Sequence, residues 1–197
     1  MSGRRTVGQY RAVDLTLFGL MLIVFETLAV TAARRWFPNE PYTVSVTPAV
    51  TAIVLMRWGP WAAIHAALGG AAFCLASGAR ADQYVIYCVG NLLALGALWP
   101  LKIWTPEGVR RSAVRSLALA LMAALLQQLG RALIAVLLGH SAAVALGFFT
   151  TDVVTLLFTL VLIWIARRLD GVFEEQNHYL LRLKRQENEE RGGFYER

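Results

Sequence analysis

Along this chain apolar residues run in long blocks, and polar residues fall between them as short punctuation. Blocks of this length predict membrane-spanning helices over residues 13–33, 44–57, 60–77, 83–101, 115–138 and 144–166. A transmembrane barrel would alternate apolar and polar residues along each strand, and these blocks do not. The expected fold class is therefore an all-α integral membrane protein: a six-helix bundle over residues 1–166, followed by a charged cytoplasmic tail over 167–197.

The second and third spans are the hardest to separate. Residues 44–78 are apolar almost throughout, but RWGP at 57–60 sets Arg, Gly and Pro together, which predicts two short helices joined by a tight turn. A single kinked helix, giving five spans, is the alternative. Charge decides between them. With six spans, Arg4, Arg5, Arg11, Arg57, Lys102, Arg110, Arg111, Arg115 and the basic residues of the tail share one side, against Arg34, Arg35 and Arg80 on the other. That asymmetry follows the positive-inside rule with both termini cytoplasmic, whereas five spans would divide the basic 4–5 loop from the basic tail. The first block is longer than the apolar region of a secretory leader, so it is read as a span.

Composition agrees with the blocks: 57% of the 197 residues are hydrophobic and 16% are charged, against about 45–50% and 25% in soluble domains. The net charge of +6 is accounted for by cytoplasmic loops and tail, and calls for no nucleic acid. The tail offers a partial apolar stripe (Val172, Phe173, Tyr179, Leu180, Leu181, Leu183), which suits a helix on the anionic inner leaflet or a short docking helix. Cys74 and Cys88 fall inside spans as small core residues. No phosphate loop, nucleophile elbow or metal-ligand spacing is present, so neither catalysis nor a cofactor or metal is expected.

The informative residues are the polar ones inside spans. At about 1.5 Å per residue, Glu26, Gln127, Arg131 and Asp152 all fall about 18–24 Å above the cytoplasmic ends of their spans; Tyr84 and Tyr87 fall near the same level, and Asn91 nearer the middle. Gln127 and Gln128 each share a face with Arg131, and Asp152, Thr155 and Thr159 form one stripe. Isolated charges facing lipid cost about 2.5 kcal/mol or more. Arg131 is thus expected to pair with Glu26, Asp152 or both, in a layer that either fixes helix register or faces a ligand cavity. The threonines are expected to satisfy their own helix backbone.

A family resemblance adds to this reading. The loop RRWFPNEPYTVSV (34–46), the stretch PAVTAIVLMRWGPWAAIHAALGG (48–70) and the Asn-bearing helix YCVGNLLAL (87–95) together resemble the substrate-binding S component of energy-coupling factor vitamin transporters. The resemblance implies a receptor in a prokaryotic cell membrane that captures a vitamin or related micronutrient outside the cell. It would work with a transmembrane coupling subunit and two ATPase subunits. It also implies that the loop after helix 1 caps the site through Phe37, Pro41 and Tyr42. Later helices would supply polar contacts through Asn91, Gln127, Arg131 and Asp152, and by depth and helical face Glu26, Tyr84, Tyr87 and Gln128 join them in the expected substrate site. A small-residue motif on helix 1, matched only approximately by Ala12, Thr16 and Gly19, would face the coupling subunit. Two other classes fit the residues: a membrane scaffold or sensor recruiting a partner through its tail, and a stand-alone proton-coupled carrier titrating Glu26 or Asp152.

Overall fold

The computed structural model describes residues 6–40, 42–169 and 172–173; Pro41 and nearly all of the tail, with its proposed surface or docking helix, lie outside the described residues. Among the described residues every regular element is helical. Five helical stretches are long and apolar enough to cross a membrane: Val7–Trp36, Thr47–Ser77, Ala81–Trp104, Ala113–Leu137 and Ala142–Ala166. The outer surface is apolar, and several charged and polar side chains are buried beside an apolar core. Leu17, Leu20 and Leu28 of the first helix are exposed, whereas Glu26, Gln127, Arg131, Asp152 and Thr159 are buried. Lipid is the solvent that this surface fits.

Helix α1 (Val7–Trp36) begins earlier than the apolar block, where a capping box between Thr6 and Gln9 satisfies its first N–H groups, and it also runs three residues past the block's end. The stretch 47–77 is broken: α2 (Thr47–Trp58) ends at Gly59, whose φ of 59° favours glycine, and a 3-10 turn over Gly59–Trp61 carries Pro60 into α3 (Ala62–Ser77). The two halves fold back on each other, since a methyl group added at Gly69 of α3 would meet the side chain of Thr47, the first residue of α2.

The third stretch was expected as one helix and is instead α4 (Ala81–Gly90), a 3-10 segment over Asn91–Ala97, and α5 (Leu98–Trp104). A short helix, α6 (Pro106–Arg111), leads into α7 (Ala113–Leu137). The last stretch is also interrupted, with α8 (Ala142–Thr151) and α9 (Val153–Ala166) meeting at Asp152, which has φ −89° and ψ 7°. Apolar periodicity predicts neither break. Both fall where a polar side chain is held by another helix.

Neighbouring segments alternate in direction. Arg11 stacks over Trp61 and Arg34 reaches Ala76 O, so α1 and α3 are parallel, and Asp14 meets Arg57 and Trp58 at the far end of the antiparallel α2. Helices α4 and α7 touch backbone to backbone: a Cβ on Gly130 would lie 2.0 Å from Gly90 O. This crossing works only with hydrogen in place of side chains. The apolar core gathers Val54, Leu55, Trp58, Ala97, Leu119, Ala123 and Ile163, together with Phe173 from beyond α9.

Candidate functional site: a buried polar centre beneath an open cavity

At the Gly90–Gly130 crossing the next residue of each helix is polar, and the close approach sets them side by side. The Arg131 guanidinium donates through Nε to Asn91 Oδ1 at 2.8 Å and through Nη1 to Asp152 Oδ2 at 2.5 Å. Its plane lies over the Tyr87 ring, 5.0 Å from the centroid. Asn91 donates its amide to Ala66 O on α3 at 3.1 Å. Arg131 and Asp152 are each 3% exposed, so this is an ion pair out of reach of water. Breaking such a pair from one side costs about 3–5 kcal/mol, because the remaining charge is left buried.

The second carboxylate of the layer does something else. Glu26 Oε2 accepts from the backbone N–H groups of Val46 and Thr47, at 2.8 and 3.0 Å, and so closes the entry to α2. Glu26 therefore neutralises a helix N-terminus, and Arg131 takes Asp152 as its anion. Its other oxygen, Oε1, has no hydrogen-bond partner among the described residues.

Thr43 is bound to the α8–α9 break from three of its atoms. Thr43 N donates to Thr151 O at 3.0 Å, Thr43 Oγ1 donates to Asp152 Oδ1, and Thr155 Oγ1 donates to Thr43 O at 2.9 Å. Thr155 thus satisfies a neighbouring segment, contrary to the expectation that it would serve its own helix. Asp152 is held from below by Arg131 and from above by Thr43, and the last helix is interrupted where the Thr151 carbonyl accepts from Thr43 N of another segment.

Above this layer lies a cavity of about 300 Å³, lined by Val30, Arg34, Phe37, Glu40, Tyr42 and Phe73 among others. That is the lower end of the range for small-molecule sites. Beneath it a narrow cleft, too tight for a water molecule, is lined by Ser45, Thr47, Tyr87, Asn91, Arg131 and Asp152. Phe73 belongs to both linings and stacks on Tyr87, with centroids 4.6 Å apart. One aromatic wall therefore separates the open cavity from the polar centre.

The site residues expected from sequence divide accordingly. Tyr87, Asn91, Arg131 and Asp152 meet directly, and Glu26 joins them through Thr47. Phe37 and Tyr42 line the outer cavity, and both are more than half exposed. Tyr84 is half-buried and outside both linings; Gln127 and Gln128 are fully buried and also outside them. On α1, Ala12 and Thr16 are exposed. Gly19 is buried against α3, its Cβ position 3.3 Å from the Leu68 side chain, so it serves the α1–α3 contact. Sequence reasoning missed Thr43, Ser45 and Thr47. The signal available was a run of hydroxyl residues, TVSVT at 43–47, directly before an apolar block.

No family model matches the chain, and no curated protein or solved structure matches it either.

Proposed function

We propose that this protein is a membrane-embedded capture subunit for a small molecule, of the S-component type, which binds its cargo on the outer side and passes it to a separate coupling subunit and its ATPases. One observation carries the reading: the cavity of about 300 Å³ shares its wall residues Thr43 and Phe73 with the contacts of the buried Arg131–Asp152 centre. A ligand in the cavity would touch a segment that is bonded to the polar centre, so occupancy and the state of that centre are linked. The Arg34, Glu40, Phe37 and Tyr42 side chains offer it charge and aromatic surface together.

In this reading the broken stretch 47–77 makes two crossings, giving six in all, with the basic loops cytoplasmic. Cysteines introduced at Asn39 and Arg80 react with impermeant external reagents, and those at Glu107 and Asn188 do not; external labelling at Glu107 overturns the topology. Purified alone in liposomes, the protein binds its cargo without concentrating it and without hydrolysing ATP. Accumulation driven by an ion gradient would replace this reading with that of a stand-alone carrier.

A further inference from the structure

One turn below the polar centre lies a second tier. Thr51 follows Thr47 by four residues on α2, Gln127 precedes Arg131 by four on α7, and Thr159 follows Thr155 by four on α9. Because α2 and α9 descend while α7 ascends, all three steps lead the same way, about 6 Å deeper. The three helices pack on one another, and all three residues are 0% exposed. Thr51 Oγ1, Thr159 Oγ1 and both ends of the Gln127 amide have no hydrogen-bond partner among the described residues.

Four unpartnered polar atoms at one level are costly, each at about 1–3 kcal/mol. Their chemistry also selects what would satisfy them. A metal cation suits the oxygens but not the Gln127 N–H donors, and an anion suits those donors but not the carbonyl. Since both ends of the amide are free, its orientation does not alter the argument. A guest that donates and accepts in equal measure fits all four atoms, and the tier carries no charge of its own to attract anything else.

We propose that Thr51, Gln127 and Thr159 form the deep end of the binding site and take an uncharged group of the cargo that both donates and accepts hydrogen bonds: an amide, a ring lactam or a hydroxyl. This inference rests on the small-molecule capture reading. The cleft above the tier is too tight for water, so entry requires the chain of bonds from Thr43 through Asp152 to Arg131 to open.

The test uses the full chain in lipid nanodiscs and, as its probe, whatever small molecule is extracted from the wild-type preparation and identified by mass spectrometry. Thr51→Val, Thr159→Val and Gln127→Met preserve volume while removing the unpartnered atoms. Each variant is expected to melt, without ligand, at the wild-type temperature or about 2–4 °C above it. Each should bind the recovered compound about tenfold more weakly. Such a combination of weaker binding with unimpaired stability is not produced by a merely structural role. Unchanged affinity, or affinity lost only together with a lower melting temperature, overturns the tier as a subsite and leaves the capture reading standing. If no compound is recovered and none binds, the capture reading itself fails and this inference fails with it.

Discussion

The base of the bundle and its centre each hold a carboxylate with both oxygens bonded beside an arginine, half-buried at the base and buried at the centre, yet what surrounds the two pairs differs. At the base, the Asp14 carboxylate receives Arg57 Nε at 2.9 Å, Arg57 Nη2 at 2.8 Å and Trp58 Nε1 at 2.5 Å, so both oxygens are occupied. Arg57 also donates to Val172 O at 3.0 Å and lies over Phe18. At the centre, by contrast, Glu26 Oε1, Thr47 Oγ1, Thr51 Oγ1 and the Gln127 amide remain unpartnered among the described residues. A saturated cluster joins helices and has no capacity left over. An unsaturated one gives up stability for hydrogen-bonding capacity, which is what a binding site requires.

The largest test of this contrast is Arg131→Ala, which leaves Asp152 buried without its cation and lowers stability by about 3–5 kcal/mol in denaturant or thermal unfolding. Arg131→Lys keeps the charge but loses the planar fork that reaches Asn91 and Asp152 together. It should fold and bind the cargo more weakly. Lysine binding as tightly as wild type would reduce the centre to a structural pair like the base.

Next in size is Gly130→Ala. The new methyl group would overlap Gly90 O, so α4 and α7 must part, at about 1–3 kcal/mol. Because Asn91 and Arg131 flank that crossing, cargo affinity should fall by more than the stability loss explains. Unchanged affinity would show that the crossing does not position the site.

The smallest effect belongs to the base. Asp14→Asn keeps the shape, loses the charge and costs about 1.5 kcal/mol of stability, the lower end of the range for hydrogen bonds to charged groups, because the pair is only half-buried. Affinity per folded molecule should not move. A change in affinity at Asp14 would join the two regions that the structure keeps apart.

Much of the centre was legible in the sequence, because helical rise alone places Tyr87, Arg131 and Asp152 at compatible depths, although it set Asn91 nearer the middle. The all-helical membrane class was legible for a similar reason: long apolar blocks admit few other structures. What was not legible came from irregular backbone. The hold of Thr43 on Asp152 depends on the path of residues 42–46, which carries no periodic signal, and so does the arrival of the Val46 and Thr47 N–H groups at Glu26. The contact of Gly19 with Leu68 escaped notice because smallness marks a close approach without saying which helix makes it. The interruptions at Asn91 and Asp152 escaped notice because local apolar pattern is blind to a partner about 21–40 residues away, as Arg131 is for each of them.

The Glu26 contact has a mechanical consequence. Helix α2 has 12 residues and is about 18 Å long, so a crossing at this point needs the irregular residues 42–46 as well as the helix. Its first N–H groups depend on a carboxylate supplied by α1, and its last residues are fastened to α1 through Asp14. The pair is pinned at both ends, like a plank bolted to a rail. Sliding or rotating α2 along α1 by even one residue would strand N–H donors at one bolt and a charge at the other. A movement of α2 that keeps these bonds carries α1 with it, and the hold of Thr43 on Thr151 and Asp152 lies outside that pair.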